Sequence, residues 1–214
     1  MKITILCTNQ KHPVYEYLEK WVEHNKNSHQ IVLLNSVKEV NLGGDILFLI
    51  SCSEIIKKEV RDKFRFNLVI HASDLPEGRG WSPHIWDILA GKDVLTLSLL
   101  NAEDGVDAGD IWRKLRITLT GNELFNEINH KLFEAELELM TWACENIDLS
   151  KPEKQLHERG SYHRKRTPVD SEIDIQASLF SQFNLLRVCD PDRFPAFFVL
   201  NGQKYNIRLE KSDD

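Results

Sequence analysis

Six apolar runs of strand length, interleaved with stretches of helical spacing, constrain this chain more than any other feature. The runs are Ile3 to Cys7, Ile31 to Leu34, Asp45 to Ser51, Leu68 to His71, Val94 to Leu100 and Ile111 to Leu119. Tyr15, Leu18, Trp21 and Val22 recur on one helical face after the first run, ending near Asn25 to Ser28. Glu54 to Phe64 mixes apolar and charged residues as a surface helix does, with Ser53 as its cap. Ser82-Pro83 opens a short helix carrying Ile85, Trp86, Ile88 and Leu89 that stops at Gly91. Gly121 to Ile147 is the longest helix, with Leu124, Ile128, Leu132, Ala135, Leu139 and Trp142 in one stripe. Strands alternating with helices in this way predict βαβ units: an α/β fold with a Rossmann-like, mostly parallel sheet and helices on both faces. No Gly-x-Gly-x-x-Gly follows the first strand, so the dinucleotide fingerprint is missing.

The composition shifts at Leu149 to Pro168, a polar and basic stretch read as a connecting arm over the surface. A helix is expected over Ile173 to Val188, and Ala196 to Leu200 with Tyr205 to Leu209 read as a terminal hairpin. The expected division is a catalytic domain over residues 1–150 and an extension over 151–214. Phe197, Phe198 and Tyr205, taken as exposed in the hairpin, would suit a homodimer contact.

Lys and Arg number 27 against 33 Asp and Glu, a net charge of -6. The longest basic run is His163 to Arg166, so a general nucleic-acid partner is not expected, since phosphate neutralisation needs a cationic surface. That run reads as a solvated arm or, functionally, as a local site that steers a nucleotide diphosphate. The four cysteines are too far apart in sequence for a zinc or redox motif, and no metal site is expected. The amino terminus enters a strand directly, with no signal-peptide pattern. The longest apolar run, Ile46 to Ile50, is too short to cross a bilayer, which points to a soluble, cytoplasmic protein with no membrane partner.

His71 ends the fourth strand just before a loop carrying a Pro and two Gly, Ala72 to Gly80. In open α/β sheets ligands lie beyond the carboxyl ends of the strands. An acidic loop, Asn101 to Asp110, follows the fifth strand, and in a parallel sheet it would approach the same crevice. Asp107 could then fix the imidazole tautomer, the usual support for a general acid or base. The blander alternatives are a core histidine satisfied by backbone, and a solvated turn. Trp21, Trp86 and Trp142 fall on helical apolar stripes, whereas Trp81 and Trp112 flank the region and are candidate pocket walls.

His-Ala-Ser-Asp-Leu-Pro-Glu-Gly-Arg-Gly at 71–80, paired with Val-Asp-Ala-Gly-Asp at 106–110, resembles the signature of the folate-dependent formyltransferases. The resemblance covers roughly the first 120 residues. The tail from Tyr162 through Pro195 is similar to the ends of the sugar-modifying members, and Trp81-Ser82-Pro83 resembles a branch associated with pseudaminic-acid pathways. It implies N10-formyltetrahydrofolate as co-substrate, a nucleotide-linked aminosugar as acceptor, and His71 and Asp107 as catalytic residues. It further implies folate contacts, mainly through backbone, at Cys52, Ser53, Ile55, Leu75, Asp104, Gly105 and Val106, and acceptor contacts at Ser73, Arg79, Gly80 and Trp81. The family pattern is Asn-x-His, yet Val69 stands two residues before His71. Asn67 is four positions away, roughly 13 Å along a strand, so Ser73, Asn101 or a backbone amide would have to serve instead. Two alternatives stay open: a methionyl-tRNA formyltransferase-like enzyme, for whose tRNA-binding domain 214 residues leave little room, and a silent folate- or nucleotide-binding module.

Overall fold

The computed structural model describes residues 1–155 and 160–212. Strands β1 (Lys2–Leu6), β2 (Gln30–Leu34), β3 (Gly44–Leu49), β4 (Phe64–His71), β6 (Val94–Asn101) and β7 (Ile111–Thr118) form a sheet in the order β2-β1-β3-β4-β6-β7. Two short pairs stand apart: β5 (Arg79–Gly80) with β8 (Tyr162–His163), and the hairpin β9 (Ala196–Leu200) with β10 (Gln203–Ile207). The helices are α1 (Val14–Asn25), α2 (Lys58–Arg61), α3 (Pro83–Leu89), α4 (Phe125–Asn146) and α5 (Leu179–Val188).

Strand alternation sorts the core into two faces. Ile3, Ile5, Ile46, Phe48, Leu68, Leu97 and Leu99 face α1 and α4, which contribute Leu18, Trp21, Leu132, Leu139 and Met140. On the other face Leu6, Leu47 and Leu49 gather with Val40, Ile56, Phe64 and, at their margin, Val69 and Val60. Helices thus cover one face fully and the other only in part.

The sheet departs from the sequence expectation on its far side. β2, β1, β3 and β4 are parallel, but β6 runs antiparallel to β4, and β7 antiparallel to β6. An isolated strand run carries no sign of its direction, which only its connections and partners decide. The expected helix over Glu54 to Phe64 shrinks to the single turn of α2, because Phe64 pairs with Gly44 and starts β4. The expected helix over Ile173 to Val188 starts only at Leu179. Asp174 holds Gln176 N–H at 2.8 Å in a local turn, and Ser178 caps α5 by accepting from Ser181 N–H. In the hairpin, Phe197 is buried rather than exposed, and Phe198 stacks on Tyr205 with centroids 5.2 Å apart.

The arm after α4 is not a loose cover. Glu153 exchanges both backbone hydrogen bonds with Ile111 at the start of β7, at 2.8 and 2.7 Å. Further on, Ser161 and His163 take Arg79 N–H and Trp81 N–H at 3.0 and 3.1 Å, which builds the β5–β8 pair. Residues 156–159 of the arm lie outside the described residues. Among the described residues no helix is long and apolar enough to cross a membrane, and no cluster of three or more His, Cys, Asp or Glu could hold a metal ion.

Candidate active site

His71 ends β4 on the face shared with Val69 and is 8 % exposed, so its ring must find partners inside the protein. Nε2 lies 2.9 Å from the Gly78 carbonyl, which can only accept, so this nitrogen carries a proton. Nδ1 faces Asp107 Oδ1 at 3.4 Å, an ion-pair distance for the protonated ring. The other carboxylate oxygen of Asp107 accepts from Gly80 N–H at 3.0 Å. The structure therefore brings the two predicted residues together, and it links both to the glycine loop.

The route to that contact differs from the one expected. Asn101, the end of β6, pairs with Leu68, three residues short of His71. At about 3.4 Å per residue the acidic loop must return roughly 10 Å along the sheet to reach the imidazole. It does so with Asp107 in the left-handed region, φ 53°. Gln155, a residue to which the sequence reading gave no role, holds it there. Its amide donates to the carbonyls of Asp107 at 3.1 Å and Gly109 at 2.6 Å.

Two loops flank the pair. Arg61 of α2 ties them together by donating to the Ile56 carbonyl at 2.7 Å and pairing with the Asp104 carboxylate. That pairing, by hydrogen bond first and charge second, holds the Asp104 carboxyl below its ordinary range. Ser53 N–H donates to Thr8 Oγ1 at 2.9 Å, and the Cys52 thiol meets the Glu54 carbonyl. Ile55 and Val106 project outward, at 85 % and 68 % exposed, while Leu75 is buried beneath the glycine loop.

On the acceptor side, Ser73 is buried with its hydroxyl unpartnered among the described residues. Among the described residues Arg79 and Arg166 each bury an Nε without a partner. Gly80 has φ 98°, and a Cβ on it would lie 2.4 Å from the His163 carbonyl, so only glycine suits this close pairing. Trp81 is 43 % exposed, with the Lys165 ammonium 4.7 Å from its ring centre. The basic run His163 to Arg166 is largely tied down. His163 stacks on Trp86, Arg164 pairs with Asp170, and Arg166 donates to the Asp170 carbonyl. His84, at the start of α3, has its pKa pushed down to about 4, chiefly by burial and then by the charges of His71, His12 and Arg166.

Trp112 is not the pocket wall expected of it, and the residues near the family's missing asparagine have contacts of their own. Val69 packs against the apolar cluster around Leu6 and Leu49, and Asn67 spends its amide on the Arg61 carbonyl at 3.0 Å. Asn101 Oδ1 accepts from Trp112 Nε1 at 2.7 Å. Trp112 itself packs edge-on against Phe66 and walls no pocket at His71. A groove of about 950 Å³ between α1, α4 and β7 includes none of these residues in its lining.

Residues 3–144 match the formyl transferase family. The chain belongs to that family. Over 202 residues it is 27 % identical to a methionyl-tRNA formyltransferase of Clostridium perfringens, spanning 90 % of this chain and 65 % of that one. It thus covers less than two thirds of this curated relative's length. Among solved structures it is similar to a methionyl-tRNA formyltransferase from Clostridium thermocellum, with TM-score 0.80, 23 % identity and coverage of 95 % and 90 %. HypX from Aquifex aeolicus in complex with tetrahydrofolic acid gives 0.78 at 21 % identity, over 95 % of this chain and 36 % of that one. A sugar N-formyltransferase from Shewanella gives 0.74 at 17 % identity, covering 99 % and 98 %. These structural likenesses establish the fold.

Proposed function

We propose that this chain is an N-formyltransferase that moves a formyl group from N10-formyltetrahydrofolate to the amine of a nucleotide-linked amino-deoxysugar. The observation that carries it is the His71–Asp107 contact at the end of β4 with Gly80 N–H on the same carboxylate.

In the reaction the neutral amine attacks the formyl carbon, a tetrahedral oxyanion forms, the bond from carbon to N10 breaks, and the proton lost by the amine replaces it on N10. The imidazole has acceptors at both ends. A formyl oxygen that takes the place of the Gly78 carbonyl meets the Nε2 proton, while Asp107 offsets the positive ring. The folate slot lies between the two loops joined by Arg61, where exposed Ile55 and Val106 suit a flat heterocycle and backbone groups of Cys52 to Ile55 and Asp104 to Val106 supply its polar contacts. The acceptor enters past Ser73, Arg79, Gly80 and Trp81. Arg79 and Arg166, half-buried and each with an Nε unpartnered among the described residues, suit a compact anion such as a diphosphate. An extended polynucleotide would find less, since Arg164 is already paired in a chain of net charge -6.

The decisive assay supplies formyltetrahydrofolate with a panel of nucleotide-linked aminosugars, beginning with those of the pseudaminic-acid type, and follows tetrahydrofolate release. Turnover that disappears in His71→Ala supports the reading. The names of the curated relatives favour a second reading, formylation of methionyl-tRNA, and turnover with that substrate alone would replace the sugar. Tight folate binding without turnover on any acceptor would leave a silent module.

A further inference from the structure

We infer that Gln155 is the positioning residue for Asp107, so that the arm after α4 belongs to the transfer machinery; this rests on His71 and Asp107 being the reacting pair.

The acidic loop leaves an antiparallel strand, so nothing in the sheet aims it at His71. Its key residue has a left-handed backbone without being glycine, a state that persists only when its surroundings over-determine it. Three hydrogen bonds do this. Gly80 N–H fixes the carboxylate, and the Gln155 amide fixes the backbone through the carbonyls of residues 107 and 109. Gln155 is 6 % exposed and sits two residues past the Glu153–Ile111 bridge, so it is anchored to β7, the strand that the loop enters. Only a side chain with an N–H pair suits two carbonyls. Glutamate would set oxygen against oxygen, and methionine would fill the space without donating. Because Asp107 Oδ1 already stands 3.4 Å from Nδ1, a small rotation of the loop breaks the contact. The arm acts on the glycine loop as well, since Ser161 Oγ accepts from Gly78 N–H at 2.8 Å. One segment therefore braces both partners of His71.

The test reads the His71 ring directly in the ligand-free protein, so it needs no acceptor. Nitrogen-15 resonances of the imidazole are compared at one pH in the wild type, Asp107→Asn and Gln155→Met. Asp107→Asn is expected to shift the Nδ1 resonance, and Gln155→Met to shift it in the same direction by at least half as much, with a Tm within about 5 °C of the wild type. Should Gln155→Met not fold, Gln155→Glu is read in the same way. A Gln155 variant with wild-type resonances, beside an Asp107→Asn that moves them, overturns the inference. If neither moves them, the pair itself is absent and the inference falls with it. A clear response with no turnover on any acceptor leaves Gln155 in its role and sinks only the proposed reaction. With an acceptor in hand, the loss falls on kcat, by about 10–100-fold, more than on KM.

Discussion

The parallel and antiparallel halves of the sheet deliver their residues to the site in different ways. β4 belongs to the parallel half, paired with β3 as far as Val69, and its last residue, His71, is set opposite Ser98 of β6 at the strand's carboxyl end. β6 and β7 form the antiparallel half, and Asp107 comes from the loop between them only because that loop folds back and is held by Gly80 and Gln155. A residue positioned by a ladder is fixed by many backbone bonds. One positioned by a loop depends on a few named contacts, and is correspondingly easy to disturb.

The sharpest way to break that comparison is at the two residues themselves. His71→Ala should lower turnover by about 10³-fold or more, since it removes the proton donor outright, whereas Asp107→Asn keeps the shape and should lower it by about 10²-fold. Equal losses, measured as kcat under saturating formyltetrahydrofolate, would mean that the loop residue reacts directly rather than through the imidazole.

Next come the glycines that let each loop close. A Cβ on Gly109 would lie 2.0 Å from the Asn101 carbonyl, and one on Gly80 would lie 2.4 Å from that of His163. Gly109→Ala should be the more damaging, because it wedges open the root of the β6–β7 hairpin, and a loss of about 3 kcal/mol or more is expected by chemical denaturation. Gly80→Ala should lose about 1–3 kcal/mol through its positive φ and the opened β5–β8 pair. Its larger signature should be kinetic, since Gly80 N–H also holds Asp107.

How much of this was readable beforehand follows the same division. The parallel strands, α1, α4 and His71 at a strand end were legible, because burial on two periodicities leaves a pattern in the residues themselves. The direction of β6 was not, nor was the shortening of α2, because both are settled by partners distant in the chain. Pairing His71 with Asp107 rests in the sequence on a parallel geometry that the sheet does not have and, separately, on a resemblance in motif. The bracing by Gln155 left no trace at all: one polar residue in a basic, polar arm looks like any other until its two carbonyl partners are seen.

The helical face of the sheet offers a smaller test, in stability alone. Burial pushes the Glu136 carboxyl up to about 8, so folding keeps it protonated where the unfolded chain would ionise it. That contribution is fully present below about 4.5 and is lost as pH rises through 8, by no more than about 1.4 kcal/mol per pH unit. His12 and His84 act with the opposite sign. Burial, with Arg193 beside His12, holds both down to about 4, so their contribution is present above 6.5 and is lost as pH falls through 4. Thermal stability should therefore peak near pH 6.5. Glu136→Gln should flatten the alkaline limb and, since its opposing slope also runs below 6.5, steepen the acid limb. An alkaline limb that persists in this variant would assign the slope to another group.

The smallest expected effect bears on what stands where the family pattern has asparagine. Val69 is committed to the apolar cluster, Asn67 donates its amide to Arg61 and Asn101 Oδ1 accepts from Trp112, while the Ser73 hydroxyl is a buried donor without a partner among the described residues. Removing a buried hydroxyl that bonds to nothing sheds a desolvation penalty, so Ser73→Ala should melt at or slightly above the wild-type temperature. If that hydroxyl donates to the oxyanion, kcat should nonetheless fall by about 10-fold, with KM for formyltetrahydrofolate unchanged. An unaltered kcat would return the whole task to the Nε2 proton of His71, and the parallel half of the sheet would then carry the oxyanion chemistry alone.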